Sequence, residues 1–244
     1  MSSLFGGLAR RVARSLGYRL ERPPPFVTFD EKLLHNYHEL DEMERSRYHS
    51  QVRPGLSPEE VFFFEGDPRL HGQMYLAERR ALFDFVRSRR PSLVIEIGTF
   101  TGGGSTFFIA SALHRVSSGT LASSEANLDL HRLASTFYET CLPALAPHVR
   151  FIHGAGTTFF DSVIEEHGGV DLLLLDGAED RRESTDQFHA LQGRIRRGGA
   201  ILLHDWNTKK MLDLRPLLEG APGWRALFAL TPPESVGFAG FEKL

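Results

Sequence analysis

The sequence predicts an α/β protein: a doubly wound, seven-stranded sheet with helices on both faces, a C-terminal antiparallel hairpin and an N-terminal helical extension. Three observations carry that expectation. From Leu70 onward, short apolar runs alternate with stretches of helical period, placing strands near 93–97, 120–125, 149–153, 170–175 and 199–203 with helices between them. Runs such as Leu172-Leu173-Leu174-Leu175 are continuously apolar, as parallel strands covered on both faces must be. The last two strands, near 224–230 and 235–241, are joined only by Thr231-Pro232-Pro233-Glu234. That is too short for a helical crossover, so they pair antiparallel.

Composition narrows the class. The 244 residues are 41% hydrophobic and 24% charged, with a net charge of −3, which excludes a disordered or fibrous chain. With 28 basic against 31 acidic side chains there is no overall basic footprint, and no nucleic-acid partner is expected. Cys141 is the one cysteine, which excludes an intrachain disulfide framework and a multi-cysteine zinc site and suits a cytoplasmic setting. No apolar run reaches the roughly 18 residues that a membrane-spanning helix needs.

Two parts follow along the chain: an N-terminal helical cover over residues 1–69 and the alternating domain over 70–244. Leu8, Val12, Leu16 and Leu20 share one helical face beside Arg10, Arg11, Arg14, Arg19 and Arg22. One reading packs this helix on its own domain; the other is a weak peripheral contact with an anionic inner-membrane surface. Pro23-Pro24-Pro25 ends it. A polar helix is expected over 31–47. Ser57-Pro58-Glu59-Glu60 then forms a capping box with proline at the first helical position, opening a short helix that carries Phe62, Phe63 and Phe64. Further helices are expected over 72–89, 102–113, 128–145, 158–167, 182–196 and 211–218.

An open doubly wound sheet binds ligands at the carboxyl ends of its strands. The first such end reads Glu96-Ile97-Gly98-Thr99-Phe100-Thr101-Gly102-Gly103-Gly104-Ser105. Its glycines permit a tight turn and close approach of a ligand, and the helix that follows aims free N–H groups at it. A dinucleotide fingerprint needs glycine two positions after Gly98, where Phe100 stands. The pattern E-x-G-x-x-x-G-x-G-S instead resembles motif I of the class I S-adenosylmethionine-dependent methyltransferases, a Rossmann-like family whose sheet also ends in an antiparallel hairpin. The resemblance spans roughly Leu70 to Leu244.

It implies that Glu96, Gly98, Thr99, Gly102 and Ser105 surround the amino-acid end of S-adenosylmethionine. By the same resemblance Glu125, closing the second strand, accepts from the ribose hydroxyls, Gly156 flanks adenine, and Tyr75 and Asp176 add cofactor contacts. The segments Leu175-Asp176-Gly177-Ala178-Glu179 and Gly198-Gly199-Ala200-Ile201-Leu202-Leu203-His204-Asp205 resemble a subgroup of small-molecule and sugar O-methyltransferases. Its D-G-x-H motif has Glu179 at the histidine position here. Asp176, His204 and Asp205 are the catalytic candidates. Strand alternation argues that His204 and Asp205 do not both face the acceptor, and Asp205 is preferred as the base. Asp176 and Asp205 with Asn207 could chelate Mg2+, as in catechol-type relatives, although Trp206 holds the asparagine's usual place. The alternative is a metal-free site. Trp206 could stack on an acceptor or simply pack.

The function expected is methyl transfer to a hydroxyl of a small molecule or glycan. The alternatives are a catalytically silent methyltransferase-like binding subunit and, further away, a nicotinamide-dependent oxidoreductase. The oligomeric state is open, a homo-oligomer included.

Overall fold

A computed structural model describes residues 37–155, 157–231 and 236–244. The chain divides into two compact units, Met1–Lys32 and Leu33–Leu244. The first lies outside the described residues, and with it the basic helix around Arg10, Arg11 and Arg14.

In the second unit, the polar helix expected over 31–47 is broken within its described part. A single 3-10 turn, Tyr37–Glu39, precedes α1 (Glu42–Arg47), because Asp41 caps a new start: its carboxylate accepts from Glu44 N–H while the Glu44 carboxylate accepts from Asp41 N–H. α2 (Pro58–Glu65) opens on the capping box that the sequence predicts. Its Phe63 and Phe64 are buried, and Arg79, fully buried on α3 (Leu76–Arg89), donates to the carbonyl oxygens of both at 3.1 and 2.7 Å.

The alternation after residue 70 gives β1 (Leu93–Ile97), α4 (Ser105–Val116), β2 (Thr120–Glu125), α5 (Leu128–Cys141), β3 (Val149–His153), α6 (Asp161–His167), β4 (Val170–Leu175), α7 (Arg181–Leu191), β5 (Ile195–His204), α8 (Arg215–Leu218), β6 (Trp224–Leu230) and β7 (Phe238–Lys243). The order across the sheet is β3-β2-β1-β4-β5-β7-β6, with β7 antiparallel to both neighbours. This is the seven-stranded, doubly wound architecture read from the sequence. Strand order reverses between β1 and β4, so the carboxyl ends of β1, β2, β4 and β5 form one rim.

β5 begins four residues earlier than expected. Its pairing with β4 shifts between Val170 and Leu172, and the residues ahead of Gly199 are taken up in that irregularity. Alternate strand residues feed two cores. Val94, Leu172 and Leu202 pack with Leu82, Phe83 and Phe108 on one face, while Leu93, Ile95, Leu173 and Ile201 pack with Phe160, Phe188 and Phe241 on the other. Both faces are therefore covered, as the apolar runs require. Among the described residues no helix is long and apolar enough to cross a membrane.

Candidate active site

At the end of β1, Glu96 is fully buried. Its Oε2 accepts from the hydroxyls of Thr106 at 2.6 Å and Ser123 at 2.5 Å, while Oε1 has no hydrogen-bond partner. Burial pushes its pKa up to about 7 against the pull of the neighbouring hydroxyls. Thr99 turns inward too, its Oγ1 lying 2.5 Å from Ser123 Oγ, and Ser105 is buried in the first turn of α4 beside the same carboxyl. Together with Thr106 and Ser123 these three residues form a closed polar knot behind the loop.

Gly98 has a φ of +107°, and a Cβ there would lie 2.7 Å from both Cα and N of Gly177. The turns that end β1 and β4 thus touch backbone to backbone, sealed by the N–H groups of Asp176 and Gly177 donating to the Ile97 carbonyl oxygen. Gly102, at φ +82°, is closed by the ring of Tyr138, whose hydroxyl donates to the Gly102 carbonyl oxygen. At both positions the missing side chain makes room for other parts of the chain.

Phe100 has a φ of +52°, uncommon for a bulky residue, and is 40% exposed. The turn delivers its N–H to Glu125 Oε2 at 2.8 Å, and the other oxygen of Glu125 accepts from Asn127 N–H at 2.8 Å. Just past β3, the half-exposed ring of Phe159 lies over Gly154, whose N–H donates to the Glu125 carbonyl oxygen. Gly156 lies outside the described residues. Tyr75 caps α3, its N–H donating to Glu78 Oε2 at 3.0 Å.

The ends of β4 and β5 are built differently. His204 Nδ1 lies 2.9 Å from Asp176 Oδ1, and its Nε2 lies 3.2 Å from Oε2 of Glu78, which is buried on α3. Burial opposes a charge on the ring, but the carboxylates of Asp176 and Glu78 outweigh it and hold its pKa well above the ordinary value. Despite its own burial, which pushes it up, Asp176 is held below the usual carboxylate range by the His204 charge and hydrogen bond. Asp205 Oδ1 comes within 4.0 Å of His204 Nδ1, and Lys210 Nζ donates to Asp205 Oδ2 at 2.8 Å. The ligating atoms of Asp176, His204 and Asp205 all lie within 4.8 Å of one another.

Alternation does not separate His204 from Asp205, because β5 ends at His204 and Asp205 adopts a φ of +61°. The left-handed turn brings its carboxylate back to the same side. Asn207 is exposed, its amide against Gly237. Trp206 is buried against Phe241 with Arg215 over its ring, so it packs and leaves no face for an acceptor. Glu179, at the subgroup's histidine position, is exposed, with its N–H donating to Glu183. Glu78 and Lys210 were not singled out from the sequence. Lys210, five residues past Asp205, offered only a weak clue, and Glu78 offered none beyond its place three residues into a helix.

Residues 95–206 match the family model described as a methyltransferase domain. Over that span the chain is similar to a methyltransferase domain. No curated protein matches it by sequence. Solved structures give the fold. The O-methyltransferase TomG from Streptomyces achromogenes, in complex with S-adenosylmethionine, superposes with a TM-score of 0.55 at 18% identity, covering 69% of this chain and 80% of that one. An O-methyltransferase from Bacillus cereus in complex with S-adenosylhomocysteine gives 0.56 at 18%, covering 82% and 96%. A methyltransferase from Geobacter sulfurreducens gives 0.53 at 14%, covering 84% and 99%.

Proposed function

We propose that this methyltransferase transfers the methyl group of S-adenosylmethionine to a hydroxyl oxygen of a small molecule or glycan. The observation that carries the acceptor side is the convergence of Asp176, His204 and Asp205 at the ends of β4 and β5, next to the turn that closes β1.

The residues on the other side suit the cofactor. Each oxygen of Glu125 spends one acceptor position on a backbone N–H and keeps another for a ribose hydroxyl. Phe159 offers an aromatic face beside it. When bound, the sulfonium supplies a methyl group open to displacement, and the protein's task is then alignment and exclusion of water.

Asp205 takes the hydroxyl proton on Oδ1, its other oxygen being held by Lys210. His204 has both ring nitrogens on carboxylates and so has no free lone pair for that proton; it fixes Asp176 instead. The first test is calorimetry with S-adenosylhomocysteine and with NAD. Binding of the former alone is expected, and binding of NAD alone would overturn the reading. A silent subunit would bind the cofactor and turn over no hydroxylated acceptor across a panel of sugars and phenols.

A further inference from the structure

We propose that Lys210 is the resident cation of the acceptor side, holding Asp205 Oδ2 by its ammonium and supplying to the strand-end acids the positive charge that a divalent metal would otherwise bring. Two carboxylates at adjacent strand ends repel unless positive charge lies between or beside them. Here that charge belongs to the chain: His204 stands against Asp176, and Lys210 against Asp205 at 2.8 Å.

The lysine is delivered by a built turn. After the left-handed Asp205, Thr208 N–H donates to the Asp205 carbonyl oxygen at 2.8 Å, and the Thr208 hydroxyl accepts from Lys210 N–H at 3.3 Å. Met211 and Leu214, both buried, fasten the turn to the core, while Arg215 holds the Trp206 carbonyl oxygen. The Lys210 side chain is itself two-thirds covered.

The same residues do not fit Mg2+. A small hard cation wants an octahedral shell of oxygens and water. Asp205 is shared with an ammonium, and a doubly charged ion on that carboxylate would sit against a like charge. Both ring nitrogens of His204 are engaged with carboxylates, and Asn207 lies against Gly237. Lys210 acts through Asp205 and is therefore a positioning residue.

The proposal rests on the methyl-transfer reading for its purpose, but its test reads metal binding alone, so the two can fail separately. Mn2+, a spin-active stand-in for Mg2+, is titrated into the full-length protein and followed by electron paramagnetic resonance. The unmutated protein and Lys210→Arg should show no tight site. Lys210→Met, similar in length and uncharged, should bind Mn2+ at least tenfold more tightly, and adding Asp205→Asn should remove the gain. A merely structural lysine would not create a metal site when lost. Mn2+ binding by the unmutated protein that Asp205→Asn abolishes overturns the proposal, and so does a folded Lys210→Met that gains nothing. Should Lys210→Met fail to fold, the unmutated protein, Lys210→Arg and Asp205→Asn still decide by the first criterion.

Discussion

The two halves of the rim solve the same problem, holding carboxyl groups at strand ends, by opposite means. At β1 and β2 the solution is neutral: Glu96 is sunk among hydroxyls with its pKa raised to about 7, and Glu125 is held by backbone N–H groups. At β4 and β5 the solution is ionic: His204 lies among the carboxylates of Glu78, Asp176 and Asp205, and Lys210 pairs with Asp205. Reversible binding of a large ligand asks for a rigid surface with spare acceptor positions. Moving a proton asks for a group whose charge is already compensated.

The contrast can be broken most severely at its seam. Gly98→Val places a branched side chain into the Gly177 backbone at an unfavourable φ, and should destabilise the fold by about 4 kcal/mol or more. Urea unfolding measures this without any ligand, and a loss under about 1 kcal/mol would mean that the two turns do not meet as described. The next effect separates the halves by pH. Glu96, ordinarily near 4.5, favours the folded state fully below that pH, and the advantage disappears as pH rises through about 7. Relative to the unmutated protein, Glu96→Gln should therefore gain about 3 kcal/mol between pH 4.5 and pH 8, as read from paired denaturation curves. In the ionic half the His204 contribution runs the same way at higher pH, full below about 6.5 and lost as pH climbs from there through its raised pKa, whereas that of Asp176 is full above about 3.8 and lost in acid.

Asp205→Asn keeps the shape and tolerates the left-handed backbone, but should lower turnover by roughly 100-fold with cofactor affinity unchanged. A parallel loss of S-adenosylhomocysteine affinity would blur the division of labour between the halves. The smallest effect is Glu125→Gln, which keeps one acceptor oxygen and should cost about 1 kcal/mol in cofactor affinity by calorimetry.

Much of the fold could be read from the chain because each strand-end turn interrupts an apolar run, and the short Pro-Pro connection forces the hairpin. Asp176, His204 and Asp205 were visible as acids and imidazole at strand ends. What alternation could not supply was their relation, since one residue at φ +61° undoes the two-residue period on which the separation of His204 from Asp205 rested. Glu78 and Lys210 reach the site across 126 residues and from within a turn, respectively, and neither separation leaves a periodic trace. The role of the loop glycines was read from the ligand's side, whereas Gly98 and Gly102 answer to Gly177 and Tyr138, contacts that only the folded chain brings about.

Adjacent residues of α3 face opposite duties. Glu78 holds His204, and Arg79 is clamped on the carbonyl oxygens of Phe63 and Phe64. A chain trimmed to the domain that its motifs delimit would leave that guanidinium buried without those acceptors, and the helix bearing Glu78 would be the first to loosen. The segment ahead of the methyltransferase motifs is thus a keystone beneath the strand-end rim. Exchanging it between relatives should succeed only when the arginine and its two carbonyl oxygens travel together.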